Sequence, residues 1–233
     1  MKTSRPSTSH GFTLIELLVV ISIIAILAGI ALPVFGEVQT RGAQTKALSN
    51  AKQVGLACKL FAQDYNGNFP LYTDLDNKTP AGGGATSNAV LQTLIPDYLP
   101  DKGVFAIPKS AYCKNAGLGN NPANQLGSGE NEWAYVLGLT DTSNSRFPLL
   151  ADGFVPGGVV YTDVESEPGG VWKGKKAIVI RVDISGAIET LDRQGKHVRR
   201  NDENPKQNAF EPGPTDTPPW FGSSVQVLNP VAP

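Results

Sequence analysis

Histidine, cysteine and methionine are nearly absent from this 233-residue chain, which has two His, two Cys and one Met. With only His10 and His197, a histidine-based metal cluster has too few ligands. Cys58 and Cys113 permit at most one intramolecular disulfide. A surplus of charge is missing too: 20 basic residues stand against 21 acidic ones, a formal net charge of -1, which gives no footprint for nucleic acid. There is no phosphate-binding glycine loop, no Cys-x-x-Cys and no Gly-x-Ser-x-Gly. A Ser-His-Asp triad would have to recruit His197, which sits among Lys196, Arg199 and Arg200 in a polar, solvated run. No enzyme is expected. Gly (25) and Pro (18) are plentiful, with seven of the prolines after residue 200, so the chain should be rich in loops with a modest core.

Apolar residues concentrate near the N-terminus. Residues 1–11 are short, basic and polar, and from Leu17 to Phe35 no residue is charged. At about 1.5 Å rise per residue, Phe12 to Phe35 spans roughly 36 Å, enough to cross a hydrocarbon core of about 30 Å. Lys2 and Arg5 precede the run, which keeps the N-terminus cytoplasmic and exports the chain beyond residue 35. A secretory signal peptide is the competing reading. The run exceeds a signal core of about 7–15 residues, however. No Ala-x-Ala comes after it either; the nearest small-x-small triplet, Gly29-Ile30-Ala31, lies inside it. An acid within this helix, Glu16, is costly there and calls for a partner.

The segment Gly11-Phe12-Thr13-Leu14-Ile15-Glu16-Leu17-Leu18-Val19-Val20-Ile21 resembles the prepilin cleavage and methylation motif of type IV pilins and type II secretion pseudopilins. The resemblance implies that a membrane prepilin peptidase cuts between Gly11 and Phe12 and N-methylates Phe12. Glu16 is then the fifth residue of the mature chain, where the family has its glutamate. Pro33 stands where many members carry a helix-breaking proline. Methylation keeps the amine cationic, so Phe12 can pair with the Glu16 carboxylate of a neighbouring subunit as helices stack with an axial offset. In a low-dielectric bundle that pairing selects one register. Pro33 removes the backbone bond to the Gly29 carbonyl, so a kink or melted turn is expected there.

Ala47, Ala51, Val54, Cys58, Phe61 and Tyr65 recur at spacings of 4 and 3, one apolar stripe on a helix expected to run from Phe12 to about Tyr65. Asn66-Gly67 suits a left-handed cap, and Asp64 to Pro70 resembles the turn after the first helix in major pseudopilins.

Beyond it, residues 73–88 read as a flexible loop around Gly82-Gly83-Gly84, and residues 89–99 as a short helix closed by prolines. Residues 114–131 read as irregular. Strand signals come next at Glu132–Leu137, Phe147–Ala151 and Lys176–Val182, the last joined through Asp183-Ile184-Ser185-Gly186 to Ala187–Leu191 in an antiparallel hairpin. Residues 201–233 read as an extended or disordered tail, with Trp220-Phe221 an incidental apolar patch or a docking point. Cys58 and Cys113 face an oxidising compartment after export, so pairing and a buried free thiol at Cys58 are both open. Some major pseudopilins bind calcium in a loop of the C-terminal sheet. The acids Asp163, Glu165, Glu167 and Asp183, with Asp152-Gly153, lie in or beside loops, but no EF-hand spacing supports a site and no cofactor is expected.

The expected fold is α+β, the pilin-like lollipop, with a long N-terminal helix whose second half packs on a small antiparallel sheet. Its segments are a cytoplasmic leader (1–11), a membrane and polymerisation helix (12–35), an amphipathic continuation (36–65), an exported head (66–200) and a Pro-rich tail (201–233). The resemblance implies a single-pass inner-membrane protein that forms a helical filament with itself and other pseudopilins, working with the prepilin peptidase and an inner-membrane assembly platform. A type II secretion pseudopilus subunit leads. A type IV pilus subunit for adhesion, motility or DNA uptake, and a membrane-tethered binding protein, are the alternatives.

Overall fold

The computed structural model describes residues 12–113, 125–200, 206–211, 220 and 225–232. It divides into two compact units, Met1–Ala43 and Gln44–Pro233. One helix, α1 (Leu14–Asp64), passes through the boundary.

In the first unit the described side chains from Phe12 to Leu32 are all exposed, as an apolar helix without a protein partner must be. Of the kink or melted turn expected at Gly29–Pro33, the melted turn is not found, because α1 is unbroken from Leu14 to Asp64. Proline withdraws a single backbone N–H, and the flanking turns carry the helix across.

The second unit is built on the last turns of α1 and a five-stranded antiparallel sheet. Its strands are β3 (Trp133–Leu137), β4 (Pro148–Asp152), β5 (Lys176–Arg181), β6 (Gly186–Thr190) and β7 (Gln226–Leu228), in the order β6-β5-β4-β3-β7. Five of the six expected stripe residues of α1, Ala47, Ala51, Val54, Cys58 and Phe61, are buried, while Tyr65 is half-buried. Gly55 brings the helix backbone against β5: a Cβ there would lie 2.9 Å from Ile180 Cγ2. A larger side chain would hold the two elements apart, which is why this close approach of a 51-residue helix is made at a glycine. The hairpin β5–β6 pairs Ile180 with Gly186 and Lys176 with Thr190. α1 ends as its sequence signals. Asn66 is left-handed (φ 53°) and the Gly67 N–H reaches back to the Ala62 carbonyl at 2.8 Å.

Three expectations for this unit need correction. The loop at 73–88 contains a small ladder, β1 (Tyr72–Asp74) on β2 (Thr79–Pro80), closed by an Asp74 side chain that accepts from Asp76 and Asn77 N–H. The helix expected at 89–99 is α2 (Ser87–Leu91) followed by a single 3-10 turn, Gln92–Leu94. Thr86 caps its start, and Ile95 is extended (φ -102°, ψ 135°), as a residue before proline prefers. The C-terminal segment is no free tail in its described parts. β7 completes the sheet beside β3, and Trp220 is buried with its indole N–H on the Ala209 carbonyl. Phe221 lies outside the described residues.

Candidate assembly site

Two residues open α1. Thr13 precedes the helix, and its hydroxyl accepts the Glu16 N–H at 3.3 Å. In return one Glu16 carboxylate oxygen accepts the Thr13 N–H at 2.9 Å and the Thr13 hydroxyl at 2.8 Å. This reciprocal arrangement is a capping box. It satisfies two backbone donors at the helix start and gives the acid of the apolar run a local partner. The Glu16 carboxylate also lies at the positive end of the helix dipole, which favours it. Phe12, directly before the cap, is 75% exposed, and Gly11 lies outside the described residues.

From Leu17 to Phe35 the polar side chain is Ser22, and its hydroxyl donates to the Leu18 carbonyl at 2.8 Å, inside the helix's own backbone. Thr40 does the same toward Gly36 at 3.0 Å. A segment with its hydroxyls satisfied this way can enter hydrocarbon without an orphaned donor. α1 is, among the described residues, the one helix long and apolar enough to cross a membrane. Charge resumes at Glu37 and Arg41, an exposed i,i+4 pair at 4.0 Å that adds little stability.

The remaining sequence candidates lie in the second unit and do not converge. Cys58 and Cys113 are both buried free thiols, not a bridge. Burial drives the Cys58 thiol far above its ordinary value, and burial with the Glu132 charge pushes Cys113 up to about 12. The loop acids are engaged separately. Asp163 pairs with Lys196 at 2.8 Å, Glu165 with Lys173 at 3.1 Å, and Asp183 accepts the Ser185 N–H at 2.9 Å in the β5–β6 turn. Asp152, expected in or beside a loop, is the last residue of β4, next to the loop that starts at Gly153, and is fully buried. Among the described residues no group of three or more His, Cys, Asp or Glu is arranged to hold a metal. Sequence reasoning misses Glu132 entirely. It reads as the first residue of a strand, although an acid leading an apolar run invites the question of what meets its charge.

An apolar N-terminal helix opened by a Thr-x-x-Glu capping box and followed by an α+β unit defines the class: a protein whose first helix is compatible with single-pass anchoring. A family model described as the prokaryotic N-terminal methylation motif matches residues 6–32. The chain is 41% identical over 79 residues to the type IV major pilin protein PilA of Myxococcus xanthus, a match covering 34% of each chain. It therefore spans about a third of that relative's length. No solved structure matches the chain. Over its N-terminal segment the chain is similar to proteins that carry this methylation motif and to a type IV major pilin.

Proposed function

We propose that this chain is a structural subunit of a type II secretion pseudopilus, clipped between Gly11 and Phe12, N-methylated at Phe12, and assembled through α1. The observation that carries the reading is the placement of Glu16. It is an acid in the first turn of an otherwise apolar helix, held by Thr13 within the subunit and free to exchange that partner for a cationic Phe12 terminus of a neighbour. An unpaired acid inside a helix bundle is costly, so the subunit stagger that supplies a cation is favoured over others. Pro33 acts in the same helix by giving up one backbone bond where α1 leaves the bilayer. The partners of this reading are further copies of the chain, other pseudopilins, the prepilin peptidase and an inner-membrane platform.

The similarity to a type IV major pilin favours a second reading, a subunit of a type IV pilus. Deletion of the gene separates the two. Loss of protein secretion with no change in surface fibres supports the pseudopilus, and loss of fibres supports the pilus.

The shared claim is tested by intact mass and N-terminal sequencing of the protein from membranes, with and without the prepilin peptidase. A chain starting at N-methylated Phe12 only when the peptidase is present is the expected result. A chain still starting at Met1, or cut beyond Ala31, would make it an anchored or secreted protein instead.

A further inference from the structure

Glu132, just before β3, and Asp152, the last residue of β4, lie side by side where the two strands meet. Gly153 N–H donates to the Glu132 carbonyl at 2.7 Å, and Trp133 is the register partner of Asp152. Both side chains are fully buried. One oxygen of each is satisfied. Asp152 Oδ2 accepts the Trp172 indole N–H at 3.0 Å and the Ile178 N–H at 2.7 Å. Glu132 Oε2 has Cys113 Sγ at 4.0 Å, and the carboxylate is also bonded by the Ser110 hydroxyl. The other two oxygens, Glu132 Oε1 and Asp152 Oδ1, have no hydrogen-bond partner.

Among the described residues, the groups packed around the pair offer no counter-ion. Tyr112 gives its hydroxyl proton to the Phe154 carbonyl, Tyr161 gives its own to the Asp152 carbonyl, and the Cys113 thiol is neutral. The ion pairs seen between described residues join Lys and Arg to other acids. Two carboxylates cannot both stay ionised in such a place, because each lacks solvent and repels the other.

We propose that Glu132 and Asp152 form a proton-holding pair, and that the second unit keeps its closed packing only while this pair retains a proton. Burial, and for Glu132 the neighbouring Asp152 charge as well, raises both groups. Asp152 goes up to about 7 even though the Ile178 and Trp172 bonds pull it down, and Glu132 goes well above the usual carboxylate range. In the unfolded chain both titrate near their ordinary values of about 4. Between those limits the folded protein binds more protons than the unfolded one, so stability falls as pH rises. The elements released first are those Asp152 ties together: β4, the Ile178 backbone of β5, and the segment bearing Trp172. This device is independent of which filament the subunit joins.

The test is urea unfolding of the full chain in detergent micelles from pH 5 to pH 8, read by tryptophan fluorescence. Each extra proton held by the fold raises the unfolding constant about tenfold per pH unit, so with both carboxyls protonated the rise should approach a hundredfold per pH unit between pH 5 and 7. Asp152→Asn should make that slope shallower, and Asp152→Asn with Glu132→Gln should flatten it. A wild-type slope that is flat or of opposite sign overturns the proposal, as does a double variant that keeps the wild-type slope. Should the double variant not fold, infrared spectra of the wild type decide. A protonated-carboxyl stretch that persists at pH 6 in the folded protein and is lost on alkalinisation is expected, and its absence overturns the proposal. Stabilisation by added calcium at pH 7.5, with no pH slope in a chelator, would assign the pair to a cation and overturn it as well.

Discussion

The Glu16 carboxylate and Thr13 bind each other in both directions, Thr13 donating twice to one oxygen at 2.9 and 2.8 Å and accepting the Glu16 N–H in return. Glu16 therefore has two separable properties, an acceptor that caps α1 and a charge that a neighbour's terminus can meet. Glu16→Ala removes both. Glu16→Gln keeps an oxygen for Thr13 and removes the charge. Processing and membrane insertion should survive in each variant, and incorporation into filaments should be lost in each. Pull-down of assembled filaments checks this, and a Gln variant that assembles normally would assign the residue to capping alone.

At Gly55 the helix of the second unit meets β5, and substitution there sets two effects against each other. Alanine gains about 0.5–1 kcal/mol of helix preference over glycine, but its Cβ falls 2.9 Å from Ile180 Cγ2, a fully buried side chain. Gly55→Ala should therefore be near neutral. Gly55→Leu forces the helix off the sheet and should destabilise by about 1–3 kcal/mol. Urea midpoints of the two variants, measured side by side, give the difference.

The thiols make a chemical test of packing. Cys58 and Cys113 are buried and their thiols titrate upward, so little reactive thiolate exists at neutral pH. Mass spectrometry under non-reducing conditions should find two free thiols. A small alkylating reagent should modify neither at an appreciable rate until urea unfolds the second unit, and should then modify both. A mass lower by two hydrogen atoms, with no alkylation after unfolding, would mean a bridge instead.

Local patterns carry most of this fold. The helix is legible over its whole length because its apolar run, its apolar stripe and its Asn66-Gly67 cap are all local. So are β3 to β6, whose β-branched and aromatic runs and hairpin turn lie close together in sequence. The features that escape the sequence are non-local. Gln226-Val227-Leu228 is too short and too close to proline to announce a strand, and it becomes one because β3 offers it an unpaired edge. For Trp220 the sequence leaves an incidental patch and a docking point both open, and the structure decides for docking, with Phe147 against its ring at 5.0 Å. The acid pair is invisible in the sequence because Glu132 and Asp152 are far apart along the chain and meet only through the β3–β4 register. At the assembly site the residue types are legible in full, while the reciprocal Thr13–Glu16 bonding needs coordinates.

The C-terminal segment is the part of the second unit that sequence values least, and Asn229 measures how much it contributes. Its side-chain oxygen accepts the Phe154 N–H at 3.1 Å, and its amide donates to the Val155 and Gly158 carbonyls at 3.5 and 3.2 Å. Its own carbonyl takes the Ser87 N–H at the start of α2, at 3.0 Å. One residue thus ties the end of β7 to the loop after β4 and to a helix start. Asn229→Ala leaves the Phe154 N–H without its acceptor and should cost about 1–3 kcal/mol. Asn229→Asp keeps that acceptor but turns two donors into an anion facing two carbonyl oxygens. It should therefore be the worse variant at pH 7 and recover part of the loss as acidification protonates it. Urea unfolding of both variants at pH 5 and pH 7 checks the order. Equal stability of Asn229→Ala and wild type would mean that β7 and its flanks rest on the sheet without holding it.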